Sequence, residues 1–129
     1  MEFAITPGTE GKKVIIVTVD KTATAYGSGT VEVFATPAMI ALMEQTAMES
    51  VAPFLPETFV TVGAEVSVKH FKATLPGQTV SCFSKLISLE GKKLIFEVSA
   101  SDGNALIGSG THTRYIVDKQ DFINKLKNK

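Results

Sequence analysis

Thr36-Pro37-Ala38-Met39-Ile40-Ala41-Leu42-Met43-Glu44-Gln45-Thr46-Ala47-Met48-Glu49-Ser50-Val51-Ala52, with Pro53 and Pro56 close behind, sets the architecture of this chain. Thr36 before Pro37 has the composition of an N-cap followed by proline at the first helical position, and the two later prolines close the segment. A helix is therefore expected from Pro37 to about Ala52. At about 100° per residue, Ile40, Ala41, Ala47, Met48 and Val51 fall on one side with Glu44 among them, while Gln45, Thr46 and Glu49 gather on the other. A carboxylate set in an apolar face is costly unless it is paired, hydrogen-bonded or protonated, and the usual reason for keeping one there is chemistry.

Outward from the helix the pattern changes from helical to extended. Upstream, Val14 to Val19 is a short β-branched run that predicts a strand, and Thr22 to Tyr26 is expected to continue or pair with it. Tyr26-Gly27-Ser28-Gly29-Thr30 is a small-residue segment leading through Val31-Glu32-Val33-Phe34-Ala35 to the helix. Downstream come four extended stretches, Thr58 to Phe71, Gln78 to Leu89, Lys92 to Ser101 and Ala105 to Val117. Leu75-Pro76-Gly77, Glu90-Gly91 and Asp102-Gly103-Asn104 separate them, and the last two breaks have the composition of tight hairpin turns. In the third stretch Leu94, Phe96, Val98 and Ala100 alternate with Lys93, Ile95, Glu97 and Ser99, so one face is apolar. A final short helix is expected from Lys119 to Lys127, with Phe122, Ile123 and Leu126 as its apolar side. One long apolar helix followed by an antiparallel meander predicts an α+β hotdog architecture, a curved antiparallel sheet wrapped around a central helix. Such a sheet covers its helix on one side only, so a homodimer is expected, with any site near the two-fold axis occurring twice.

Composition limits what the fold can be used for. The 129 residues fit one domain, taken as 1–129, and 44% hydrophobic against 20% charged residues excludes a disordered tail. Thirteen basic residues balance thirteen acidic ones, so no global field favours nucleic acid or an anionic membrane. MEFAITPGTEGKK lacks the pattern of a secretory signal, and no apolar run approaches a membrane span, so a cytoplasmic protein is expected. Cys82 is the single cysteine, which rules out an internal disulfide, and one Cys with two scattered His gives no metal cluster. With no phosphate-binding glycine loop either, no metal or cofactor is expected.

Several fragments resemble the fluoroacetyl-CoA thioesterase-like family of hotdog proteins. They are Val33-Phe34-Ala35-Thr36-Pro37-Ala38-Met39-Ile40-Ala41-Leu42-Met43-Glu44, Val51-Ala52-Pro53-Phe54-Leu55, Val62-Gly63, and Val68-Lys69-His70 with Ala73-Thr74-Leu75-Pro76-Gly77. Ile107-Gly108-Ser109-Gly110-Thr111-His112 with Arg114 completes the set. The likeness runs from about Val33 to Val117 and implies an acyl-CoA thioesterase that hydrolyses a small acyl-CoA. Carried over by position, it implies Thr36, Glu44 and His70 as the catalytic group, the Gly63 N–H as holder of the thioester carbonyl, and Arg114 near the substrate.

Residue chemistry agrees with those assignments. Thioester hydrolysis requires a nucleophile or activated water, a group that accepts and returns a proton, and donors aimed at the developing oxyanion. Glu44 can attack or activate water, His70 titrates near neutral pH, and Gly63 admits a ligand close to the backbone. His70 is favoured as general base assisted by Glu44, with Thr36 either nucleophile or positioning hydroxyl. Taken singly, each residue also has a plain structural use. Thr36 fits an N-cap, Glu44 an ion-pair partner of Arg114 or a lysine, His70 the solvent face of a strand, and Gly63 a β-bulge, while His112, on the same strand face as Arg114, fits packing or a supporting place behind the site residues. Lys69 and Lys72 suit either coenzyme A phosphates or solvated surface. Their joint occurrence in register is what favours an enzyme over a non-catalytic acyl-CoA-binding or sensing domain. A hotdog dehydratase is disfavoured because no Asp and His pair stands near the helix start. One departure concerns the substrate: where the namesake carries bulky aromatic residues ahead of the helix, this chain has Gly27, Ser28, Gly29 and Thr30, which predicts a less crowded entrance and a different acyl group.

Overall fold

The computed structural model describes residues 2–103 and 105–128, so Asn104 of the last expected turn lies outside the described residues. After β1 (Glu10–Ile16) the chain passes through a 3-10 turn at Val19–Lys21 and a one-turn helix, α1 (Ala23–Tyr26), to the long helix α2 (Thr36–Val51). A second 3-10 turn at Ala52–Phe54 holds Pro53. The meander follows as β2 (Phe59–His70), β3 (Thr79–Glu90), β4 (Lys93–Asp102) and β5 (Ala105–Asp118), closed by α3 (Lys119–Lys127). The five strands form one sheet of order β1-β3-β4-β5-β2, and every neighbouring pair is antiparallel. A five-stranded antiparallel sheet packed on a long helix is the hotdog fold expected above.

The four downstream strands lie within a residue or two of their expected positions because their turns are written in the sequence. Gly91, for example, has a φ of 63°, the left-handed conformation that the β3–β4 hairpin requires. The expected apolar face of β4 is the buried one: Leu94, Phe96, Val98 and Ala100 all point to the core. They meet Met39, Leu42, Met43, Ala47 and Val51 of α2, together with Val80, Cys82 and Leu86 of β3. α3 begins where expected, with the Asp118 carboxylate accepting from the Asp121 N–H at 3.1 Å. Of its expected apolar side only Phe122 is half-buried, while Ile123 and Leu126 are exposed.

Three upstream expectations are corrected. The first strand occupies Glu10–Ile16 rather than Val14 to Val19, and Val14 and Ile16 lie on its exposed outer face. Its apolar run therefore did not mark its ends. Thr22 to Tyr26 is not strand but carries α1, with the Thr22 hydroxyl accepting from the Ala25 N–H and Gly27 closing the turn at φ 70°. The α2 face is also rotated. Its buried residues are Ala38, Met39, Leu42, Met43, Thr46, Ala47 and Val51, whereas Ile40 and Ala41 are half-buried and Met48 is exposed. Thr46 enters the core because its hydroxyl donates to the Leu42 carbonyl at 2.7 Å, which satisfies it locally. The buried stripe shifts toward Thr46 and Glu44 is left on the flank, its side chain 40% exposed in the protomer.

Candidate active site

Thr36 is the first residue of α2; the N-cap is Ala35, and Pro37 falls one position later than expected. Its hydroxyl is thus free of capping duty and lies 2.8 Å from Nδ1 of His70, the last residue of β2. The chain brings these two together by hydrogen-bonding the Phe34 N–H to the Thr74 carbonyl at 2.8 Å, which seats the entry to α2 beside the end of β2. The Phe34 ring meets the His70 imidazole edge-on, with centroids 6.2 Å apart. Burial lowers the His70 pKa below its ordinary 6.5, and a backbone group of Lys72 offsets part of that shift. Nε2 itself is buried and has no partner within hydrogen-bond geometry among the described residues. A groove of 340 Å³ opens beside the pair, with Ser28, Phe34, Phe71 and Lys72 among its walls.

The connection beyond His70 is clamped by Asp102 at the end of β4. Its carboxylate accepts from the Thr74 hydroxyl at 2.7 Å and from the Lys72 ammonium at 3.1 Å. These bonds, the Thr74 one first, hold the Asp102 carboxyl below the usual carboxylate range. This clamp is absent from the sequence-based reading, since nothing in the local pattern links Asp102 to Thr74 across 28 residues. It also gives Lys72 a protein partner, whereas the phosphate reading of Lys69 gains no contact.

A second cluster surrounds Gly63, next to a register shift in the β2–β5 pairing between Gly63 and Glu65. The bulge reading of Gly63 matches the register shift beside it, and a Cβ at this glycine would lie 2.9 Å from Glu44 Oε2 and 3.3 Å from Arg114 Nη1. Glu44 Oε2 and Arg114 Nη1 are 3.9 Å apart, a loose ion pair at the edge of contact. Arg114 is buried and well fastened. Its Nε donates to the Thr61 hydroxyl at 2.8 Å, its Nη2 to the Thr61 carbonyl at 2.9 Å, and its Nη1 lies 3.1 Å from His112 Nε2. Burial works against the guanidinium charge and Glu44 partly restores it. His112, only 1% exposed, reaches the Glu65 carbonyl through Nδ1 at 2.8 Å.

Within one protomer the five expected residues therefore form two groups, Thr36 with His70 and Glu44 with Gly63 and Arg114. Thr36 and Glu44 are separated by about 12 Å of helix at 1.5 Å per residue. Gly63 and His70 are about 23 Å apart along β2 at about 3.3 Å per residue. Among the described residues no three His, Cys, Asp or Glu side chains are placed to hold a metal ion, and no helix is long and apolar enough to cross a membrane.

The sequence profile of the family described as FlK, fluoroacetyl-CoA-specific thioesterase, matches residues 17–120. The fluoroacetyl-CoA thioesterase of Streptantibioticus cattleyicolor is 42% identical over 98 residues, covering 76% of this chain and 70% of that protein. A solved structure of the fluoroacetyl-CoA thioesterase FlK superposes with a TM-score of 0.90 at 35% identity, over 98% of each chain. A variant of that enzyme solved in complex with fluoroacetate and CoA gives a TM-score of 0.85 at 35% identity, over 92% of this chain and 99% of the other.

Proposed function

This chain belongs to the fluoroacetyl-CoA-specific thioesterase family, and from that premise we propose that it is an acyl-CoA thioesterase, cleaving a small acyl-CoA with water to the free acid and coenzyme A. The observation that carries the mechanism is the His70 imidazole, anchored through Nδ1 by Thr36 and unpartnered at Nε2. An imidazole fixed at one nitrogen with a free lone pair at the other has the form of a general base, and because that lone pair is buried in the protomer, water reaches it only as the adjoining groove opens for substrate. With Nδ1–H donating to the Thr36 hydroxyl, Nε2 takes the proton from an attacking water whose oxygen adds to the thioester carbonyl. The Gly63 N–H receives the oxyanion, and Arg114, held close behind it, favours the negative charge. When the tetrahedral adduct collapses the C–S bond breaks, and the proton leaves Nε2 for the departing thiolate. Glu44 orients the water. In this reading Thr36 is a positioning hydroxyl; an acyl-enzyme trapped on Thr36 would make it the nucleophile instead.

The two groups of residues act together only if they come from different protomers. β2 is a sheet edge twelve residues long, and such an edge is a template for pairing. Antiparallel pairing of β2 with its counterpart about a two-fold axis between Val66 and Ser67 sets Gly63 of one protomer opposite His70 of the other. Because Glu44 lies at Gly63 and Thr36 at His70, the same axis passes near Ile40 and brings Thr36 of one helix to Glu44 of the other. Half-buried Ile40 and exposed Met48 on the flank of α2 give that contact an apolar surface. The assembly is thus a homodimer with two composite sites. We place it in the cytoplasm, where its thioester substrate is available.

The acyl group follows from the entrance. Gly27, Ser28, Gly29 and Thr30 are all exposed and carry no bulky side chain over the groove, which supports acyl groups larger than fluoroacetyl. Spectrophotometric release of free thiol from a panel of short, branched and aromatic acyl-CoAs tests the activity and the preference together. Hydrolysis of at least one is expected. Tight acyl-CoA binding with no release across the panel would favour the sensing domain.

A further inference from the structure

His112 lies outside the residues assigned to the reaction, yet it is buried and hydrogen-bonded at both ring nitrogens. It is 1% exposed, and its ring stacks on Phe96 at 6.4 Å between centroids. Each ring nitrogen has one partner, and each partner permits one role only. The Glu65 carbonyl, 2.8 Å from Nδ1, can only accept, so Nδ1 carries the proton. The Arg114 guanidinium, 3.1 Å from Nε2 through Nη1, can only donate, so Nε2 is bare. The two constraints select the same state, the neutral Nδ1–H tautomer. Burial favours that state by disfavouring the cation and outweighs the Glu65 carbonyl, which favours the charge; the nearby Arg114 charge acts with burial and Glu44 against it.

This imidazole joins two parts of the site, the Glu65 carbonyl and the Arg114 guanidinium. Through Nδ1 it grips the carbonyl that follows the bulge beside Gly63; through Nε2 it occupies the Arg114 edge facing Glu44. Thr61 holds the guanidinium at Nε and Nη2, and among the described residues the hydrogen bond at Nη1 is the one to His112. A free guanidinium edge beside a carboxylate closes to a charge-assisted contact of about 2.8 Å. Here the distance is 3.9 Å, and one of the two Nη1 hydrogens is directed to His112, which sets the position of that edge. We propose that His112 is a positioning residue, whose bare Nε2 holds Arg114 back from Glu44 and keeps that carboxylate free to act, while its Nδ1–H fixes the Gly63 bulge. The inference rests on the proposed roles of Glu44 and Gly63 and adds a residue that touches neither substrate nor water.

Two substitutions separate the two bonds. His112→Gln can place an amide oxygen where Nε2 stands and keep the acceptor for Arg114; His112→Asn reaches only the Nδ1 position and leaves Nη1 without its acceptor. With both variants folded and of native assembly state, His112→Asn should lower kcat about tenfold at unchanged KM, while His112→Gln restores most of it. Equal losses in the two variants, tracking their melting temperatures, would reduce His112 to packing and overturn the proposal. A second test needs no activity. Nitrogen-15 spectra of the wild-type imidazole at pH 7 should show the neutral Nδ1–H tautomer for His112, and an Nε2–H or cationic ring would contradict it. Failure of the underlying site reading is seen separately, as full activity in Glu44→Gln.

Discussion

The Thr36–His70 pair and the Glu44–Arg114 cluster are built in opposite ways. The first is sparse: one hydrogen bond, one edge-on aromatic contact, and a buried nitrogen left without a partner. The second is saturated around Arg114, with three hydrogen bonds on the guanidinium and a second layer behind it in His112 and Glu65. A group that must take up and release a proton needs an unoccupied lone pair. A group that stabilises charge at a fixed place needs rigidity, because its benefit comes from not having to reorganise. The contrast supports the proposed reading, in which proton transfer falls to the His70 side and electrostatic stabilisation to the Gly63 side, with Glu44 only loosely paired, 3.9 Å from Arg114.

Removing the sparse side should cost the most activity for the least stability. His70→Ala is expected to reduce kcat/KM on the order of a hundredfold or more, while losing a single hydrogen bond worth about 1 kcal/mol in stability. Steady-state kinetics beside denaturant unfolding would show it, and a variant within threefold of wild type would remove His70 from the mechanism.

Glu44→Gln keeps the shape and should also reduce turnover sharply, since the amide can neither attack nor accept a proton. Stability should change by less than about 1 kcal/mol, because the carboxylate is partly exposed and its pair with Arg114 is long. A melting temperature that rises with activity intact would make Glu44 a structural liability.

Gly63→Ala sharpens the contrast. The new methyl would meet Glu44 Oε2 at 2.9 Å, the far end of a flexible side chain, and Arg114 Nη1 at 3.3 Å, part of a fastened one. The carboxylate is therefore expected to move, lowering kcat about tenfold while costing about 1 kcal/mol or less in stability. Gly110→Ala is the control. Its methyl would overlap the Ser67 carbonyl oxygen and the Val68 Cα, backbone atoms that cannot swing aside. It should lose stability by about 2 kcal/mol or more.

The smallest effect is pH dependence. Both histidines have folded-state pKa values lowered by burial. Below about 6.5 the unfolded chain binds protons that the folded chain still resists, so stability rises with pH through that window and levels off above it. The acid limb of kcat/KM should accordingly fall below pH 6.5, as His70 stays neutral and competent as a base there. Chemical denaturation and rates measured from pH 5 to 8 check both, and an acid limb above 6.5 would contradict the lowered His70 value.

The strands were legible because turn residues and alternation are local signals: Glu90-Gly91 and the Leu94, Phe96, Val98, Ala100 face needed no tertiary information. The helix was legible in extent but not in phase. Thr46 counts as polar in a sequence, and only its bond to the Leu42 carbonyl shows how it can be buried. The upstream segment misled because β1 turns Val14 and Ile16 to its outer face, although the Thr22 and Gly27 caps of α1 were there to be seen. At the site, the residue types pointed to a chemistry but not to a geometry. Spacing could not reveal that Thr36 with His70 and Glu44 with Gly63 form separate groups within one chain. Nor could it show that His112 and Arg114, neighbours by alternation, are fastened by bonds to residues 47 and 53 positions away.

The composite site is tested most directly by mixing two inactive variants. In a dimer of one His70→Ala protomer and one Glu44→Gln protomer, one site carries both lesions and the other carries neither. Unfolding the two variants together and refolding them should therefore restore activity to about a quarter of the wild-type level, since half the dimers are mixed and each holds one intact site of two. A mixture no more active than its parents, with subunit exchange verified, would place the whole site within one protomer and contradict the account.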